Sequence, residues 1–62
     1  MSKLREIRKS KGVTQAWLAE KSGISRQRIS TLEHDETASV NSKTLRALAD
    51  ALGVEITDIL MP

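Results

Sequence analysis

The tightest constraint on this 62-residue chain is a spacing near its middle: Ala19, Gly23 four positions on, and Ile29 six beyond that. Leu18 and Ala19 give the stretch from Gln15 an apolar inner face at helical spacing. Gly23 then breaks the pattern at a place where positive φ is cheap only for glycine. Ser25 stands where an N-cap would stand. Ile29 and Leu32, three apart, supply the inner face of a further helix. Two short helices meeting at a sharp turn satisfy all of this at once. The alanine allows close approach, the glycine makes the turn, and the branched isoleucine fills the angle between the helices.

The outer face of the second of these helices is polar. At about 100° per residue, Ile29 and Leu32 point one way and Gln27, Ser30, Thr31 and His34 the other, with Arg26 and Arg28 flanking. Guanidinium, amide and hydroxyl groups on a slender helix can hydrogen-bond base edges in a DNA major groove. Spacing and chemistry together follow helix-turn-helix logic. The stretch TQAWLAEKSGISRQRISTLE, with LREIRKSKGV before it and TLRALADALGVEITDIL after it, resembles the DNA-binding domain of the phage repressor/Cro (XRE) family from Leu4 to Leu60. The resemblance implies an all-α, compact five-helix lambda-repressor-like DNA-binding domain. Residues 1–62 form that single domain, with the helix-turn-helix at about 15–34.

The function so implied is a sequence-specific transcriptional regulator, a repressor, reading double-stranded DNA with its third helix. The resemblance places base readers in the first turn of that helix, at Arg26 and Gln27. Thr31, one turn on, meets a thymine methyl or a phosphate. Ser30 joins the readers on this face, with a backbone contact as its alternative. Phosphate contacts fall to Gln15, Thr14, Ser25, Arg28 and Lys43. A helix N-terminus favours anions in any case, which suits Gln15. Relatives often join an arginine of the first helix to a glutamate ending the third, so Arg8 and Glu33 are expected to pair and fix the recognition helix. Ile56, Leu60 and Met61 offer more apolar surface than a short terminal helix needs, so they are assigned to a homodimer interface on a palindromic operator. The competing function is a protein-interaction module, such as an antitoxin-like partner of a toxin. A groove for protein would show apolar residues on the outer face of the third helix, where this chain carries basic and amide groups.

A domain of this size buries only about 60% of its unfolded surface. With no cysteine there is neither a disulfide staple nor a thiolate metal site. Stability must come from helix packing or oligomerisation, and with one Trp as the sole aromatic residue the core must be aliphatic. Charge is uneven. Residues 1–34 hold eight basic and three acidic residues, a net of +5, while residues 35–62 hold two and five, a net of −3. That asymmetry suits a polyanion on one face. No apolar run approaches the ~20 residues of a membrane span, and MSKLREIRKS is too charged for a signal peptide. A cytoplasmic protein of bacterial or phage type, with no membrane partner, is expected. His34 has no second ligand at metal spacing. No nucleophile lies in a recognisable arrangement with a histidine, and there is no Gly-rich phosphate loop. The expectation is therefore no enzyme, no cofactor and no small-molecule ligand.

Along the chain, the first helix is expected over Met1–Ser10 with Ser2 as its cap, ended by Gly12. The second runs Gln15–Lys21 behind Thr14, and the third Ser25 to about Glu33. A polar loop, His34–Val40, follows. Its Asp35 is placed to take a left-handed conformation, and its segment HDETAS is acidic where relatives often carry Lys or Arg. Asn41 caps a fourth helix with the stripe Leu45, Leu48, Ala49 and Leu52, stopped by Gly53. A fifth helix falls within Val54–Met61, with Glu55 at its cap. The expected core is Leu4, Ile7, Val13, Leu18, Ala19, Ile24, Ile29, Leu32, Leu45, Leu48, Leu52, Val54 and Ile59. Trp17 is expected at the surface, over Lys21 or against a partner.

Overall fold

Three side-chain caps and two left-handed glycines set where the helices begin and end. The computed structural model describes residues 1–60. It contains α1 (Ser2–Ser10), α2 (Gln15–Ser22), α3 (Arg26–His34), α4 (Ser42–Leu52) and α5 (Ile56–Leu60). The hydroxyl of Thr14 accepts the N–H of Trp17, that of Ser25 accepts the N–H of Arg28, and the Asn41 carboxamide oxygen accepts the N–H of Thr44. Each bond satisfies one of the orphan donors of a helix start and is worth about 1 kcal/mol. Gly23 and Gly53 close α2 and α4 at φ 75° and φ 70°. Nothing lies within 4 Å of where a Cβ at Gly23 would sit. Glycine is needed there for its backbone conformation, not for space.

The helices lean on one another in a closed arrangement. α2 packs on α3 and α4, α1 packs on α3 and α5, and α4 packs on α5. Leu4, Leu18, Ile29, Leu32, Leu48 and Ile59 are fully buried where they meet, joined by Leu45, Ala49 and Leu52. Burying each of the larger side chains contributes about 1.5–3 kcal/mol before entropy is counted. Ile7, Val13, Ala19, Ile24 and Val54 pack against this core while remaining partly covered. They sit at helix edges and in the connections, where one side of the residue faces water.

Three expectations need correction. Ser2 does not cap α1. Met1 holds the N-cap position, and no side chain of α1's own start bonds it. The carboxylate of Glu36, from the loop after α3, instead accepts the Ser2 N–H at 2.9 Å. An acid at a helix N-terminus is favoured by the macrodipole as well as by the hydrogen bond. Asp35 does not take a left-handed conformation but lies extended at φ −108°, ψ 102°. Its carboxylate accepts both the N–H of Thr37 at 2.9 Å and its hydroxyl at 2.6 Å, a local turn that needs no positive φ. Those bonds hold the Asp35 carboxyl below its ordinary range. α5 starts at Ile56, which leaves Glu55 at the expected cap position; its carbonyl accepts the Asp58 N–H at 3.0 Å and its own N–H donates to Asp58 Oδ2 at 2.9 Å. Finally α2 runs to Ser22 and α3 to His34, each a residue beyond expectation. Of the residues assigned to the dimer interface, Met61 lies outside the described residues.

Candidate nucleic-acid interface

The N-terminal turns of α2 and α3 carry most of the residues singled out above. Ser25 caps α3 and so fixes how its first turn leaves the Gly23 turn. Arg26, Gln27, Arg28 and Thr31 are all exposed on that helix, while Ser30 is half-buried. Ile29, Leu32 and Glu33 face inward and are buried. The wheel drawn from sequence thus separates exposed Gln27, Thr31 and His34 from buried Ile29 and Leu32, while Ser30, expected on the outer face, lies between the two. His34 Nδ1 lies 2.9 Å from the Ser30 carbonyl oxygen. A carbonyl only accepts, so Nδ1 carries the hydrogen and Nε2 is left toward solvent. The result is an exposed helix face of two guanidinium groups, a carboxamide and a hydroxyl, with apolar groups confined to the other side.

Thr14 and Ser25 both use their oxygens as caps, yet each hydroxyl keeps its own hydrogen to donate. Lys43 stands exposed in the first turn of α4. Arg28 is more committed than its sequence suggests. Its Nη2 donates to the Ser39 carbonyl oxygen at 2.6 Å, tying α3 to the loop that leads into α4. Trp17 is 37% exposed, with Lys21 Nζ 6.0 Å from the centre of its ring. That distance sits at the outer limit of a cation–π contact.

Behind the exposed face lies a buried polar cluster. Arg8 Nε donates to Glu33 Oε2 at 2.6 Å and Nη2 to Oε1 at 3.2 Å. Arg8 Nη1 also donates to the Val13 carbonyl at 2.8 Å. Glu33 is 2% exposed and Arg8 9%, and among the described residues no buried side-chain nitrogen or oxygen lacks a partner. The expected pair is therefore present, as a two-point contact rather than a loose ion pair. A third residue joins it. Gln15 Nε2 donates to Glu33 Oε1 at 3.0 Å, so α1, α2 and α3 meet at one carboxylate. Burial by itself pushes the Glu33 carboxyl up. The hydrogen bonds from Arg8 and Gln15, with the charges of Arg8 and His34, outweigh it and hold the group below its ordinary range. Sequence reasoning separates Gln15 from the Arg8–Glu33 pair, because no periodicity relates positions on different helices.

A small all-helical domain with two capped helices crossing at a left-handed glycine, the second presenting a polar face, is a helix-turn-helix module. A family model described as helix-turn-helix matches residues 4–59, and the chain belongs to that family. It is also similar to the immunity repressor protein of Bacillus phage phi105, at 36% identity over 58 residues. The match takes in 94% of this chain but only 40% of that relative's length. No described helix is long and apolar enough to cross a membrane.

Proposed function

We propose that this domain binds double-stranded DNA sequence-specifically in the cytoplasm and represses transcription, with α3 entering the major groove. The observation that carries the proposal is the face of α3. Arg26, Gln27, Arg28 and Thr31 are exposed together on the second helix of a helix-turn-helix, and groups of this kind pair with base edges and phosphates. The similarity to a phage immunity repressor supports the same reading. Arg26 and Gln27 read bases, with Thr31 and Ser30 beside them. Thr14, Gln15, Ser25, Arg28 and Lys43 hold the backbone. A face built for protein would carry apolar groups here, and α3 keeps its apolar residues inside.

The domain acts as a homodimer. Leu60 is 59% exposed and Ile56 partly so, which leaves an apolar strip on α5 for a two-fold contact. Half-sites of the operator then lie about 34–36 Å apart. Selection of bound duplexes from a random library tests the proposal, and a palindromic consensus is the expected result. Affinity for the selected duplex falls roughly 10³–10⁵-fold between about 50 and 200 mM salt if a dimer makes on the order of 6–10 phosphate contacts. Binding without sequence enrichment, or insensitive to salt, refutes the proposal.

A further inference from the structure

The shared carboxylate of Glu33 bears on how the domain meets DNA. Gln15 opens α2 and is half-buried, so its carboxamide has one side in the protein and one toward the surface. The inner side faces Glu33 Oε1 at 3.0 Å. A carboxylate only accepts, so it admits the amide nitrogen and repels the amide oxygen. Glu33 has no freedom to turn away, because Arg8 holds both of its oxygens. The amide is thereby locked in one of its two flips. Its nitrogen has two hydrogens and uses one on Glu33, which leaves the second for another anion.

We propose that Glu33 is a positioning residue of the DNA interface: it orients the Gln15 carboxamide so that one nitrogen bridges two anions, the buried carboxylate and a DNA phosphate. The inference rests on the DNA-binding function proposed above. A neutral acceptor at position 33 would admit either flip, so the charge of Glu33 matters beyond its hydrogen bonds. Gln15 is itself uncharged, so its contact releases no counterion. Losing it weakens every sequence alike and leaves the salt slope unchanged, unlike loss of a lysine or arginine.

A double-mutant cycle tests this, with a mixed-sequence duplex as probe and folding checked by circular dichroism. Gln15→Met keeps the length of the side chain and removes both donors. It is expected to weaken binding by about tenfold, the value of one hydrogen bond to a charged group. Glu33→Gln is expected to weaken it by a similar factor when Gln15 is present and to add little in the Gln15→Met protein. A loss from Glu33→Gln that persists undiminished on the Gln15→Met background means Glu33 acts only on the fold and overturns the proposal. Wild-type tightness in Gln15→Met overturns it too, while leaving the salt-dependent DNA binding of the wild type intact. Absence of wild-type binding overturns both. A second measurement needs no change at position 33. The side-chain amide protons of Gln15 are followed by NMR as the duplex is added to the wild-type protein. A shift confined to the proton facing away from Glu33 supports the bridge, and unmoved signals overturn it.

Discussion

Replacing Arg8 by alanine isolates what the buried cluster contributes. Glu33 is 2% exposed, so the variant leaves a carboxylate out of water with only the Gln15 amide as a close partner. Breaking a buried pair from one side costs about 3–5 kcal/mol. A domain of this length has on the order of 3–9 kcal/mol in total. The variant should therefore lose most of its stability, read by urea and thermal denaturation at pH 7. Acid should act on the two proteins in opposite directions. In the wild type the Glu33 carboxyl lies below its ordinary value of 4.5, so its contribution is present above that pH and is lost as pH falls through the folded-state value. In Arg8→Ala burial dominates and pushes the carboxyl up. The unfolded chain then releases the proton more readily, and lowering the pH from 7 to 5 stabilises the variant while leaving the wild type nearly unchanged. The paired change Arg8→Met with Glu33→Leu removes both charges and should recover much of the loss. An Arg8→Ala protein within about 1 kcal/mol of wild type would refute this account of the cluster, since a desolvated unpaired charge cannot be that inexpensive.

Gly23→Ala should destabilise by about 1–2 kcal/mol, the cost of a left-handed alanine; the open space around the site makes an unaffected urea midpoint the refuting result. Arg26→Ala and Gln27→Ala should each cost about 1–3 kcal/mol on the selected operator and relax preference at one base pair per half-site, whereas Arg28→Ala should weaken operator and scrambled duplex together and shallow the salt slope by about one unit per subunit. Equal operator-to-random ratios for wild type and both of the first two variants would show the reading face to be misplaced. Leu60→Glu should shift sedimentation at micromolar concentration from dimer to monomer, and an unchanged state would remove α5 from the interface.

The architecture was legible because its signals are local. Thr14, Ser25 and Asn41 cap where their chemistry places them, and Gly23 and Gly53 end helices where the apolar pattern stops. Leu4, Leu18, Ile29, Leu32 and Leu48 lie on stripes that a wheel identifies, and all five are fully buried. What was hidden is what depends on two distant segments meeting. Ser2 has the composition of a cap, but Glu36 supplies the bond from 34 positions away. Gln15 and Glu33 lie 18 apart on separate helices, and nothing in either neighbourhood announces their bond. The polar face of α3 was legible as a face. The partner of Arg28 on that face was not, since a backbone carbonyl carries no sequence signature.

The acidic loop after α3 changes meaning once its partners are known. As composition, HDETAS sets negative charge beside a helix proposed to approach phosphate, and so argues against tight binding. In the fold its acids stay exposed but are engaged in hydrogen bonds within the protein. Asp35 binds Thr37, and Glu36 binds the start of α1. Arg28 then reaches across to Ser39 and holds the far side of the same loop. A guanidinium has five donors, so one bond to a carbonyl leaves others for phosphate. Anchoring the loop and contacting DNA are therefore not alternatives for Arg28. In the proposed complex the side chain that would neutralise a phosphate is also the one that fixes the segment carrying the acids, so the loop would be held in place on DNA.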